Sequence, residues 1–401
     1  MNWKKIDTSY IKLAVVLVVG VAVIAAAILL GPDLIESTVS DQNTAPPSEA
    51  VQTEDVIPVP TESAAAGNSS TPPAVTDSQE SPLPTDNPAT TYTVENERFG
   101  IDYTGKNARE TTDGINKALE WAKAQGYSTI HFAEGTYLIQ CKWGDRFKAP
   151  TDGILVPSDL TLDLSGCTFV METNSDPEYA IFGIVNQSNV TIKNGTLIGD
   201  MDKHIYTPSQ SSPTHEYGFG ICISASSNVL IQGVAIRNMT GDGIIIEGSY
   251  TVMADGGRVS SDVRILDCDI SDCRRQGISV VGADNCEIAR NKIYDIAGVA
   301  SEYGIMVMSQ LDYTIDKLDI HDNNIYNCAG GAIACNTGNN CEVYSNTCAG
   351  NILVVFASNT AIHGNFIEDS FIEVMPDASN ITVEDNILDG NSFIKLDESQ
   401  Q

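Results

Sequence analysis

Eight stretches of nine residues follow one pattern: NVTIKNGTL (189–197), NVLIQGVAI (228–236), DVRILDCDI (262–270), NCEIARNKI (285–293), KLDIHDNNI (317–325), NCEVYSNTC (340–348), NTAIHGNFI (359–367) and NITVEDNIL (380–388). Positions two, four and nine are mostly aliphatic. A second short strand follows each copy: GICI, GIIIEG, GISVVG, GIMVMS, AIACNT, ILVVFA, FIEVMP and FIKLDE. The closest copies leave no room for a strand and a crossover helix at every step. The arrangement that satisfies the spacing is a right-handed parallel β-helix, an all-β solenoid in which each copy makes one coil stacked about 4.8 Å from the last.

Asn291, Asn323, Asn346, Asn365 and Asn386 occupy position seven of five successive copies, where amides can hydrogen-bond along the stack. A structural ladder at a turn is the reading, with sugar binding the competing one. Cysteines fall on apolar columns: Cys286 and Cys341 where other copies have Val190, Val229, Val263 and Leu318; Cys273 and Cys328 where others have Met239 and Ile296; Cys335 with Ile223, Ile246 and Val280. Cys286 and Cys341 stand two coils apart, roughly 10 Å, beyond disulfide reach, and the pair Cys273 and Cys328 fails likewise. These cysteines thus replace hydrophobes, so the ten in the chain do not imply five bridges; Cys141, Cys167, Cys222 and Cys268 are left unplaced, and no metal-type spacing stands out.

The chain ahead of the repeats differs. Leu13 to Leu30 is eighteen apolar or glycine residues, with Lys4, Lys5 and Lys12 before it and Asp33 and Glu36 after it. This reads as an uncleaved transmembrane signal anchor over 13–31, with a cytoplasmic stub at 1–12 and the rest outside; a cleaved signal peptide ending near Ala25–Ala27 is the competing reading. Residues 32–93 are rich in Pro, Ser, Thr and Ala, carry ten acids and no Lys or Arg, and read as a disordered acidic linker. Of the net charge of -31, 42 acids and 19 bases remain from residue 94 on, a charge of -23 that excludes nucleic acid as a partner. The β-helix domain is expected over 94–401.

ETTDGINKALEWAKAQG (110–126) predicts a capping helix at about 111–125, with Thr or Asp at its start, Ile115, Ala118, Leu119 and Ala122 on one face and Gly126 at its end. STIHFAEGTYLI follows as strand, turn and strand. Thr112, Asp113, Ile115, Ala118, Leu119, then Ala133, Gly135, Thr136 and Tyr137, then Asn-rich coils, resemble the opening of the pectate-lyase-like superfamily of single-stranded right-handed β-helices. That superfamily includes polysaccharide lyases, polygalacturonases, mannuronan epimerases and phage tailspikes. The resemblance covers about 97–396 and is specific for fold, weak for activity. The polygalacturonase signatures and the Asp-Pro-His of the epimerases are absent, so no reaction carries over residue by residue.

Turns between the strands of each coil stack as 199–219, 238–243, 271–277, 296–304 and 327–332, where function collects on a rigid scaffold. Phe219, Asp242, Gln276 and Tyr303 share one column, Gly218, Gly241, Arg275 and Glu302 the next. Asp242, Arg274, Arg275 and Glu302 are the catalytic candidates; His215, Glu216, Tyr217, Gln276 and Tyr303 are the substrate-binding ones. An arginine binding a uronate carboxylate would acidify the neighbouring proton for elimination, with a Tyr, His215 or the second Arg as acid or base. Asp242 with Glu216 or Glu302 would instead suit a glycoside hydrolase. Against these stand a surface salt network for Arg274 and Arg275, and plain solvent positions for His204 and His215. His321 and His363 point outward with no role assigned. Asp255 and Asp262 beside the loop 249–260 are weak calcium candidates matching no defined loop; no other cofactor is implied. The expectation is a surface-anchored carbohydrate-active protein, a lyase, hydrolase or epimerase on a polysaccharide. The alternative is a non-catalytic glycan-binding or adhesive protein. Oligomeric state is left open.

Overall fold

A computed structural model describes residues 90–141, 153–207, 214–248, 258–310 and 313–396. The anchor at 13–31, the linker as far as residue 89, Asp255 and most of the loop 249–260 lie outside these residues. Among the described residues no helix is long and apolar enough to cross a membrane. The linker reading ran slightly too far: Thr91–Thr93 is already a strand, paired in parallel with Thr129–His131.

Each coil contains three strands, one more than the repeat pattern suggested. In one coil these are Ser260–Leu266, Asp269–Ser271 and Gln276–Val280; in the next, Ala283–Ala289, Lys292–Ile296 and Tyr303–Val307. Among the described residues, stacking gives three parallel sheets of 11, 10 and 10 strands. The nine-residue copies read as one unit, yet the chain turns inside them, between the aliphatics at positions four and nine. Position six takes the left-handed conformation (Asp267, Arg290, Asp322, Ser345, Asp385, with Gly233 and Gly364), and the corner follows at position seven.

That corner holds the asparagines. Asn291, Asn323, Asn346 and Asn365 are at most 1% exposed. Each Nδ2 donates to the Oδ1 of the next asparagine at 2.9–3.0 Å and to a main-chain carbonyl, Ile265, Ile288, Ile320 or Val343. Each Oδ1 also accepts the main-chain N–H of the preceding corner, beginning with Cys268. Both donors and the acceptor are used, so the buried amides carry no desolvation debt. Cys268 thus finds its place at the head of this column.

Position one is a second left-handed site: Asn189, Asn228, Asp262, Asn285, Lys317, Asn340, Asn359 and Asn380 all have φ between 49° and 58°. Asn and Asp tolerate this conformation through local hydrogen bonding. They also form an outer ladder, with Asn228 donating to Asn189 and Asn285 to Asp262. Asp262 is therefore a turn residue of this column. Lys317 is the exception to its chemistry.

Inside, apolar residues stack in register, for example Val190, Val229 and Val263. Cys286 and Cys341 continue that column, buried at 4% and 1%. All ten cysteines are unbridged. Burial pushes the thiols of Cys268 and Cys286 up to about 12, which keeps them protonated and inert.

The helix runs Ala108–Ala124 and buries Ile115, Ala118, Leu119 and Ala122 in the core of the first coils. Its start differs from the expectation: the N-cap is Asn107, left-handed, while the Thr112 hydroxyl donates within the helix to the Ala108 carbonyl. In the following GTY, Gly135 is required because a Cβ would sit 2.5 Å from the Tyr103 carbonyl oxygen.

On the outer face of the first sheet, His321, Tyr344 and His363 stack ring on ring at 4.6 and 5.3 Å. His321 lies between Asp322 (2.7 Å) and Glu287 (3.2 Å). Burial works to lower the His321 pKa, but the bonds to Glu287 and Asp322 outweigh it and raise it above 6.5. The bond from His321 in turn lowers Glu287 below 4.5.

Replacing Asn346 by Ala strands donors and acceptors on both neighbouring coils and is expected to cost about 3–5 kcal/mol. Asn386→Ala, at the half-buried last rung, should cost about 1 kcal/mol; equal losses in denaturant titrations would refute a cooperative ladder. Lys317→Asn should stabilise by roughly 0.5–1 kcal/mol through relief of its left-handed backbone, since the exposed ion pairs it gives up are worth little. The His321 contribution is fully present below pH 6.5 and lost as pH rises through its raised folded-state value; that of Glu287 is present above 4.5 and lost below. The stability gap between wild type and His321→Gln should therefore narrow from pH 6 to pH 9, as followed by thermal unfolding.

Candidate functional site

The third sheet carries the site. Its strands Tyr217–Ser224, Asp242–Glu247, Gln276–Val280 and Tyr303–Val307 pair in register, Asp242 opposite Gln276, Ile221 opposite Ile244 and Ile278 opposite Ile305. Phe219, Asp242, Gln276 and Tyr303 therefore form one column, and the residues before them the next, as the repeat alignment required. The turns lie flat against each other because Gly218 and Gly241 lack side chains: a Cβ on Gly241 would be 2.3 Å from the Glu216 carbonyl oxygen.

The centre is a buried ion pair. Asp242 is 0% exposed, and Arg275 donates to it bidentately, Nε to Oδ1 at 2.7 Å and Nη2 to Oδ2 at 2.5 Å. Arg275 Nη1 stands 3.9 Å from Glu216 Oε1, and its guanidinium lies 5.3 Å from the Tyr217 ring centre. Burial works to lower the Arg275 pKa; the Asp242 charge and hydrogen bonds overcome it and raise it. A two-point pair of this kind compensates both charges and fixes the planar guanidinium. Glu216 accepts the Thr214 hydroxyl at 2.8 Å and keeps part of its carboxylate at the surface.

Arg274 points elsewhere. Its Nη1 donates to the Thr214 carbonyl at 2.5 Å and its guanidinium lies 4.5 Å from the ring centre of Tyr206, which is 38% exposed. A guanidinium seated on an aromatic face keeps its outer donors for a ligand.

The remaining candidates brace the next coil. Glu302, left-handed at φ 63°, accepts the Gly298 N–H at 2.7 Å. Gln276 accepts the Tyr303 N–H at 2.9 Å and donates to Ser301 Oγ at 2.9 Å. Tyr303 is 9% exposed, its phenol pKa raised by burial, and its hydroxyl accepts from Asn351. Among the described residues no ion pair joins Glu302 to either arginine. The carboxylate facing Arg275 alongside Asp242 is Glu216.

The solvent reading of His204 and His215 is corrected: they are 7% and 2% exposed. His204 Nδ1 lies 2.9 Å from Asp200 Oδ2, His204 Nε2 lies 2.9 Å from His215 Nδ1, and His215 Nε2 lies 2.8 Å from the Thr207 carbonyl. Tyr179 donates to Asp200 Oδ1 at 2.8 Å and accepts the Thr240 N–H at 3.3 Å. Asp200, Tyr179, Tyr206 and Thr214 were not singled out from sequence. The available signal was the Asp200 to His204 spacing, with a second histidine closing the same insert.

A family model described as a right-handed β-helix region matches residues 256–400. The Bacillus subtilis (strain 168) protein YclG is 31% identical over 282 residues, 67% of this chain and 48% of its own length. The SPbeta prophage-derived protein YorA of the same strain is 28% identical over 291 residues, 69% of this chain and 49% of its own. The chain thus spans about half the length of these two relatives. Among solved structures, the tailspike protein of E. coli bacteriophage HK620, solved as a double mutant, aligns with a TM-score of 0.54 at 11% identity, covering 78% of this chain and 66% of the tailspike chain. Three parallel sheets wound coil upon coil, with this match and this likeness, identify the fold of the chain as a right-handed parallel β-helix.

Proposed function

We propose that the domain recognises a polysaccharide along the edge where residues 199–207 and 214–216 meet the turns of the next two coils, with Arg274, Tyr206, Tyr217 and Glu216 as the contact groups. The observation that carries this reading is the Arg274 guanidinium seated 4.5 Å from the partly exposed Tyr206 ring. Such a pair offers fixed donors to carboxylate or hydroxyl oxygens and an apolar face to a sugar ring. Because the surrounding protein is acidic, a uronate-containing chain is held by the arginine rather than by the overall field. The ligand of a long, rigid coil edge is a polymer. We further propose that the segment 13–31 tethers this domain at the outer face of a cell membrane, with the N-terminus inside.

A second reading, cleavage or modification of that chain, is favoured by Glu216. Its carboxylate is partly exposed and lies 3.9 Å from Arg275 Nη1, so it can reach a bound sugar as a base or acid. In this reading Asp242, fully buried, positions Arg275 and does not itself touch substrate, and Glu302 holds its own loop. His215 likewise acts through the insert.

The test uses the whole chain with a panel of uronate-containing and neutral polysaccharides, with and without calcium, following binding, unsaturated-product absorbance and reducing ends. Binding to a uronate polymer is expected, weakened roughly 10–100-fold in Arg274→Ala through loss of charged hydrogen bonds. Undiminished binding in that variant would sink the recognition reading. Glu216→Gln should abolish any product even at saturating polymer; persistent product would remove Glu216 from the chemistry.

A further inference from the structure

Residues 199–207 and 214–216 are tied back to the solenoid wall by buried hydrogen bonds whose protons can be counted. The Thr207 carbonyl only accepts, so His215 Nε2 facing it carries a hydrogen. At the other end Asp200 accepts the Tyr179 hydroxyl and the Asn174 N–H (3.0 Å), and the 2.9 Å contact of its Oδ2 with His204 Nδ1 needs one hydrogen, which sits on His204 when Asp200 is the carboxylate. Between the rings, His204 Nε2 and His215 Nδ1 stand 2.9 Å apart and need one hydrogen between them. That makes three ring hydrogens on two histidines, where two neutral imidazoles carry two. The count is the same whichever ring holds the middle hydrogen.

We propose that the His204–His215 pair holds one extra proton as a buried cation opposite Asp200, and that this proton keeps residues 199–207 and 214–216 in place. Removing it sets two lone pairs against each other, either His204 Nδ1 against Asp200, whose side chains are 0% and 1% exposed, or nitrogen against nitrogen. Buried like this, the mismatch has no water to relieve it, and the contact opens instead. The groups facing the pair are Asp200; Tyr179 from strand Glu178–Val185, ring centre 6.4 Å from His204; and Tyr206, at 4.7 and 6.0 Å from the two rings. Beyond Tyr206 lies Arg274, and Asp202 and Lys203 are exposed on the same turn. Tyr206 and Thr214, which hold Arg274, sit within or beside this chain of bonds. The proton is therefore an acid-side requirement for an ordered edge, whatever ligand that edge takes.

The experiment needs no glycan, so its outcome is separate from the recognition reading. Hydrogen exchange of the whole chain is measured at pH 5.5 and 8.5, corrected for intrinsic rates, in peptides within 199–207 and in a control peptide within 285–293. Protection of 199–207 should fall at least tenfold at the higher pH with the control unchanged. His215→Gln, whose amide can accept from His204 and donate to Thr207, should keep that dependence; the double variant His204→Gln, His215→Gln should lose it. Equal protection of the wild type at both pH values, or an unchanged dependence in the double variant, overturns the proposal. Should the double variant fail to fold, the ring-nitrogen resonances of 15N-histidine-labelled wild type decide: three N–H for the pair at pH 5.5 supports the proposal, two overturns it.

Discussion

The structure depends on main-chain pairing between coils that differ in length but must stack in register. Spacings from one buried asparagine to the next are 32, 23, 19 and 21 residues, so loops of unequal size are extruded while the corners stay superimposed. A left-handed residue turns the chain, and the following amide spends its whole bonding capacity on the coils above and below. A parallel strand offers no local closure of its own, and its contacts are all non-local. A corner whose polar groups are satisfied only in register supplies the specificity that repetitive aliphatic strands lack.

The same scaffold explains how a charged centre comes to lie in a wall of aliphatic strands. Turns from three coils meet side by side, glycines let them touch, and Arg275 reaches across one coil to a carboxylate with no exposure. Charges so enclosed are tolerable when both partners are fully bonded. The pair then behaves as a fixed post around which more exposed groups, Glu216, Tyr217, Arg274 and Tyr206, are arranged. A rigid buried frame of this kind holds surface side chains at fixed positions along the solenoid edge.

Much of this was legible in advance. The inward columns, the cysteines among them, the asparagine stack and the alignment of Asp242 with Gln276 follow from period alone, because side-chain direction in a parallel stack is set by position in the repeat. The third strand of each coil was not legible, since the gap between the aliphatics at positions four and nine shows no turn signal common to all copies, and the corner is marked only by a left-handed position that Arg290 and Ser345 fill as readily as Asp267. The tightest contacts at the site were only half visible. Column alignment put Arg275 beside Asp242, but nothing in the spacing showed that Glu302 would turn back onto Gly298 or that His204 and His215 would be buried against each other.

The amino-acid order by itself determined that the chain winds as a parallel solenoid and which residues face its interior, because both depend on short-range periodicity and the fixed distance between stacked strands. Tertiary structure alone decided which charges meet, which carboxylate stays at the surface and that His204 and His215 face each other in the interior. Those outcomes depend on the paths of irregular turns, where side chains select partners from neighbouring coils by hydrogen-bond geometry and access to water, and no repeat encodes them.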